Sequence, residues 1–120
     1  DTETARIAND VETAFREAMS AWSYGQFWTL WQMGYAGQRF VITEREFDDM
    51  MRRGLTRPAG GRSIEALRVT DISPNLATVW ARIGVERARG PVTVIPRSFT
   101  LILEDGVWRV SLHDFITIAR

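Results

Sequence analysis

The hydrophobic pattern changes period once, near Ile64, and this change restricts the fold more than any other feature of the chain. Before it, apolar residues recur every three or four positions; after it, they recur every two. A chain of 120 residues with one such switch is the size of one domain, residues 1–120. Helices followed by strands predict an α+β fold, with helices covering one face of an antiparallel sheet.

In the first half, Ile7, Val11, Ala14, Phe15, Ala18 and Trp22 fall on one face of a helix from about Thr2 to Trp22. Ser23, Tyr24 and Gly25 interrupt that pattern. A short second helix carries Phe27, Trp28, Leu30 and Trp31 and is expected to stop at Gly34. The third has the clearest start. Thr43 and Glu46 form a T-x-x-E capping box, and Ile42 and Phe47 occupy the hydrophobic-staple positions across it. Phe47, Met50 and Met51 supply its inward face, and Gly54 is expected to take a left-handed conformation at its end. A short strand around Arg39–Ile42 is a further option. The loop Leu55–Ser63 contains Pro58, Gly60 and Gly61, matches no phosphate-cradling motif, and is a candidate cover for a pocket mouth.

In the second half, Ala77, Val79, Ala81, Ile83 and Val85 alternate with polar or exposed positions, as do Phe99, Leu101 and Leu103, and then Trp108, Val110 and Leu112. Breaks at Ser73-Pro74-Asn75, Arg89-Gly90-Pro91 and Asp105-Gly106 predict four antiparallel strands joined as hairpins. Asp105-Gly106 fits a two-residue primed turn, which places Glu104 opposite Val107. The register then predicts Leu103 opposite Trp108, Leu101 opposite Val110, Phe99 opposite Leu112 and Arg97 opposite Asp114 on the covered face. Thr100 meets Ser111 and Ser98 meets His113 on the other face, and Pro96 marks an irregular stretch nearby.

Composition removes several function classes. All fifteen cationic side chains are arginine, balanced by fifteen acidic ones. Without lysine there is no Schiff-base or P-loop lysine chemistry. Net charge zero offers no global reason for a nucleic-acid partner, and no apolar run is long enough for membrane insertion. Cysteine is absent and His113 is the sole histidine, so the usual zinc sets cannot be assembled and no cofactor is expected. A carboxylate calcium or magnesium site stays open, although no EF-hand spacing is present. No signal peptide is read, and the compartment is undecided, since disulfide-free proteins occur on both sides of a membrane.

The segments Ala21–Trp31 (A-W-S-Y-G-Q-F-W-T-L-W), Thr43–Phe47 (T-E-R-E-F) and Glu104–Val110 (E-D-G-V-W-R-V), in that order, resemble the NTF2-like superfamily, which includes ketosteroid-isomerase and SnoaL-like proteins. The resemblance implies three N-terminal helices on a curved antiparallel sheet, a cystatin-like α+β cone with a pocket between the layers. It also implies either an isomerase, cyclase or dehydratase or a non-catalytic binding domain, and commonly a homodimer through the sheet face.

Candidate residues follow. Asp114 on the pocket face is a candidate general base, and Arg97 opposite it lowers its basicity, so a cross-strand ion pair is the preferred reading. Trp22, Tyr24, Phe27, Trp28, Trp31, Tyr35, Phe99 and Leu112 are candidates to line a pocket for a flat apolar ligand, with plain core as the commoner role. Tyr24 and Tyr35 are the only phenols available as oxyanion donors. Arg52, Arg53, Arg57 and Arg62 are a candidate phosphate or carboxylate site or a solvated helix end. Trp80, Ile102, His113 and Phe115 are the candidate dimer face, with His113 beside Ser98 and away from Asp114. The expected function is a non-catalytic domain that binds a small apolar ligand or a protein partner. The alternatives are a cofactor-free enzyme using Asp114 and a structural homodimerisation module.

Overall fold

A computed structural model of the chain describes residues 1–88 and 90–120, without the side chain of Arg62. Four helices come first: α1 (Thr2–Ser23), α2 (Phe27–Gln32), α3 (Ala36–Val41) and α4 (Glu44–Arg53). The strands β1 (Thr56–Pro58), β2 (Ala66–Ser73), β3 (Leu76–Arg87), β4 (Val92–Glu104) and β5 (Val107–Val110) follow, and α5 (Leu112–Ala119) closes the chain. The architecture is the expected α+β one, a curled antiparallel sheet packed against helices. β3 pairs β4 along most of its length, with β1 and β2 on its other side and β5 beyond β4.

Local signals account for most boundaries. The Asp1 carboxylate accepts the Thr4 N–H at 2.9 Å and caps α1. The α4 capping box is formed in both directions: Glu46 N–H to Thr43 Oγ1 at 3.1 Å and Thr43 N–H to Glu46 Oε1 at 2.9 Å. Asp105 and Gly106 have φ of 50° and 79°, as a primed turn demands, and Glu104 lies opposite Val107. Leu103–Trp108 and Leu101–Val110 pair as read. Pro96 sits inside β4 opposite Arg82, where residues of its parity point their N–H groups at the edge left open once β5 ends, so no ladder bond is lost.

Several expectations change. The stretch Arg39–Ile42 is not a strand: α3 covers most of it, capped at its start by the Glu104 carboxylate on the Ala36 N–H, 3.0 Å. Helices before the sheet therefore number four, not three. The sheet has five strands, because Thr56–Pro58 inside the expected loop pairs with β3. The turn between β3 and β4 falls partly on Arg89, which lies outside the described residues. The largest change is at the end of the chain. The ladder runs one residue past β5, with the Ser111 N–H on Thr100 O at 3.1 Å, and then turns into α5. Phe99–Leu112, Ser98–His113 and Arg97–Asp114 are therefore not cross-strand pairs, and Arg97 is paired with Ala81 on β3 instead.

The seat of α5 explains two glycines. Gly54 is extended (φ −60°, ψ 140°), not left-handed; a Cβ there would lie 2.5 Å from the Ala119 carbonyl oxygen. A Cβ at Gly34 would lie 2.6 Å from the Leu112 side chain. Both positions are small because the two ends of α5 press on them, a reason that helix-stop rules do not contain. At the start of α5, Gln38 Oε1 accepts the Leu112 N–H at 2.5 Å, so α3 caps α5 from the side.

Candidate functional site

The concave face of the sheet, covered by α1 and α5, is where an interior pocket would lie. It is filled. Phe99 from β4 meets Phe15 of α1 at 4.7 Å between ring centroids and Phe115 of α5 at 5.3 Å. Trp22 stands edge-on to Phe115 at 5.8 Å. These four rings are buried together with Leu112 and Ile116. Phe99 and Leu112, read as possible pocket lining, are thus core residues, the commoner role named for them, while Trp22 is buried in the same core and has an edge on a cleft beside it. Phe115 is fully buried and belongs to no outer face. It was misplaced because a strand register puts it opposite its neighbours, whereas a helix turns it inward.

Asp114 holds a structural position. It is the third residue of α5, and its N–H donates to the carbonyl of the N-cap Ser111 at 3.2 Å. Its Oδ2 accepts the Thr100 N–H at 2.8 Å, the backbone donor that lost its partner when the strand ended. Burial pushes its carboxyl above the ordinary value, while the Thr100 N–H and the neighbouring His113 pull it down. Arg97 forms no hydrogen bond or ion pair with it and rests Nη1 on the carbonyl of Pro96 at 2.8 Å. His113 is exposed on the first turn of α5 and not beside Ser98 on a sheet face.

The remaining aromatics are spread apart. Tyr24 and Trp28 are exposed, at 78% and 56%. Trp31 donates Nε1–H to the Ile42 carbonyl at 2.8 Å and lies under Arg39, 5.7 Å from its ring centroid. Tyr35 is the N-cap residue of α3. On the outer sheet face Trp80 and Ile102 are half-buried, with the Arg68 guanidinium 4.9 Å from the Trp80 centroid.

Open space lies beside the filled interior. A cleft of about 460 Å³ separates the end of α1 and start of α2 from the end of α4 and β1. Trp22, Phe27, Met51 and Pro58 give it an apolar floor, and Arg52, Arg57 and Glu86 give it a charged rim. Arg52 lies over the Phe27 ring at 5.1 Å and is held by Asp48 at 2.8 Å. Arg57 and Glu86 face each other across β1 and β3. Ser23, the last residue of α1, also lines the cleft, and its Oγ is buried without a hydrogen-bond partner. A buried hydroxyl left in this state costs about 1–3 kcal/mol, which a ligand group or a water in the cleft would recover.

The cleft combines an apolar surface, two guanidinium groups, one hydroxyl and one carboxylate, and its lining has neither imidazole nor phenol. Among the described residues no three His, Asp or Glu side chains come together to hold a metal ion. No described helix is long and apolar enough to cross a membrane. Of the arginine group read from the sequence, Arg52 and Arg57 reach this cleft, Arg53 pairs with Asp49 at 3.8 Å, and the Arg62 side chain lies outside the described residues. Of the aromatics read as possible pocket lining, Trp22 and Phe27 reach this cleft; Ser23, Met51, Pro58 and Glu86 were not read as site residues, and the loop read as a mouth cover contributes Pro58 and Gly60. The chain matches no protein-family model and no curated protein.

Proposed function

We propose that this chain is a non-catalytic NTF2-like binding domain that takes a small, largely apolar molecule with one anionic group. The molecule lies on Trp22, Phe27, Met51 and Pro58 with its charge toward Arg52 and Arg57. One observation carries the reading: the interior that an enzyme of this architecture would use is occupied by Phe115 and its neighbours, while the open cleft beside it has an apolar floor and an unpartnered buried hydroxyl. Its volume is within the range of small-molecule sites. The enzyme alternative has less support, because the Asp114 carboxylate is already engaged by the Thr100 N–H.

Titration with anilinonaphthalene sulfonate, a flat apolar anion, tests the proposal. Saturable fluorescence enhancement is expected, weakened about tenfold, or about 1.4 kcal/mol, in Arg52→Ala/Arg57→Ala. Both arginines are exposed, so the double variant keeps the core intact. Absence of saturable binding, or binding that the double variant leaves unchanged, overturns the assignment.

A further inference from the structure

The concave face has a second end. Along β3 and β4 the residues sharing the Phe99 side are Ala81, Ile83, Val85 and Arg87 on one strand and Arg97, Ile95 and Thr93 on the other. The apolar run thus passes into arginine at both strands where the curled sheet opens. The last turn of α5 brings Arg120 to the same place. Arg87, Arg97 and Arg120 line one cavity of about 330 Å³, and no acidic side chain lines it with them.

On α1 and α4 four arginines are answered by acids one helical turn away: Arg6 by Glu3 and Asp10, Arg16 by Glu12, Arg52 by Asp48, and Arg53 by Asp49. Among the described residues none of the three cavity arginines forms an ion pair. Glu86, next to Arg87 in sequence, points to the other face of β3 and lines the cleft at Arg52 and Arg57. Three like charges around one small concavity repel each other, and an anion between them removes that cost.

A second feature points the same way. Thr56 of β1, opposite Arg87, is the one buried polar residue among those described, with 8% exposure. It lines this cavity, and its hydroxyl forms no hydrogen bond within the described chain. Val85 and Ile118, both buried, and the half-buried Ile95 add an apolar wall.

We propose that this end of the concave face is a binding site for a small aliphatic carboxylate, its oxygens held by Arg87, Arg97 and Arg120 and by the Thr56 hydroxyl, its chain on Val85, Ile95 and Ile118. Planar guanidinium forks match a carboxylate in geometry as well as charge. The apolar wall favours an organic acid over a bare inorganic anion, and the small volume favours a short one. The site shares no residue with the cleft at Arg52 and Arg57 and stands independently of it.

The test is a titration of the full chain followed by amide NMR at fixed ionic strength, with hexanoate, its neutral analogue hexanamide, and inorganic phosphate as probes. Hexanoate is expected to shift the amides of residues 93–95, 97 and 117–120 saturably, binding at least about tenfold tighter than hexanamide or phosphate. Arg87→Gln/Arg97→Gln, at two exposed positions, is expected to lose at least about tenfold in hexanoate affinity, and Arg52→Ala/Arg57→Ala to lose none. Thr56→Val, which keeps shape and removes the hydroxyl, is expected to weaken hexanoate without moving the other amides. Hexanamide binding as tightly as hexanoate, phosphate binding as tightly, or shifts that survive the Arg87→Gln/Arg97→Gln change would each overturn the proposal.

Discussion

The two halves of α5 treat the same concave face in opposite ways. Its first half places Leu112, Phe115 and Ile116 against Phe99 and Trp22 and closes the interior. Its second half and C-cap offer Thr117, Ile118 and Arg120 and leave a cavity beside Arg87 and Arg97. The strands change character at the same level, from Phe99 to Arg97 along β4 and from Val85 to Arg87 along β3. One end is organised for stability and the other carries unbalanced charge, which stability alone does not call for. Mutations at the two ends should therefore separate.

The largest effect is expected at the filled end. Phe115→Ala removes a ring that touches two others and leaves a cavity that its neighbours cannot close, at a cost of about 3–5 kcal/mol in urea unfolding. A cost under about 1 kcal/mol would mean that α5 is not seated there. Asp114→Ala orphans the Thr100 N–H and is expected to cost about 1–3 kcal/mol, whereas Asp114→Asn keeps an acceptor and should cost much less.

The pH dependence sharpens the same point. Burial raises the Asp114 carboxyl in the folded state, so the native protein holds that proton more tightly than the unfolded chain. The resulting stabilisation is fully present below the ordinary carboxylate range and is lost as pH rises through the raised folded value. Asp114→Asn has no such loss. Relative to it, the wild type should fall in stability across that window and then level off, measured as urea midpoints from acid to neutral pH. A difference that stays flat would place Asp114 in water.

Smaller effects follow. Thr43→Ala removes one side of the α4 capping box and is expected to cost about 1 kcal/mol. At the open end, Arg87→Gln should change stability least, within about 0.5 kcal/mol, with any change toward greater stability because it removes like-charge repulsion. A loss comparable to that of Phe115→Ala would break the distinction between the two ends.

How much could be read in advance depended on whether a segment satisfied one period or two. β3 and β4 alternate over many residues, and Asp105-Gly106 sets the last hairpin by the demand of its backbone alone. Thr43 and Glu46 announced α4 for an equally local reason. Residues 108–114 alternate well enough to extend a strand, yet Leu112, Phe115, Ile116 and Ala119 also recur at helical spacing. What decides between them is tertiary: Gln38 and Ser111 cap the helix, and Asp114 satisfies the strand edge it leaves behind. α3 carried no readable stripe, since Phe40 and Val41 on it are exposed and Glu104 caps it from the far end of β4. Arg97 was placed on the correct face with the wrong partner. Its neighbours Arg87 and Arg120 come together only through the curl of the sheet and the turn of α5, which no one-dimensional spacing records.

The account rests on α5 occupying the interior, and a two-dimensional NOESY spectrum tests this most directly. Ring-to-ring cross-peaks between Phe115 and Phe99, whose centroids lie 5.3 Å apart, are predicted together with sequential amide–amide cross-peaks through residues 112–119. Cross-strand peaks pairing Leu112 with Phe99 and Asp114 with Arg97, with no Phe115–Phe99 contact, would contradict it.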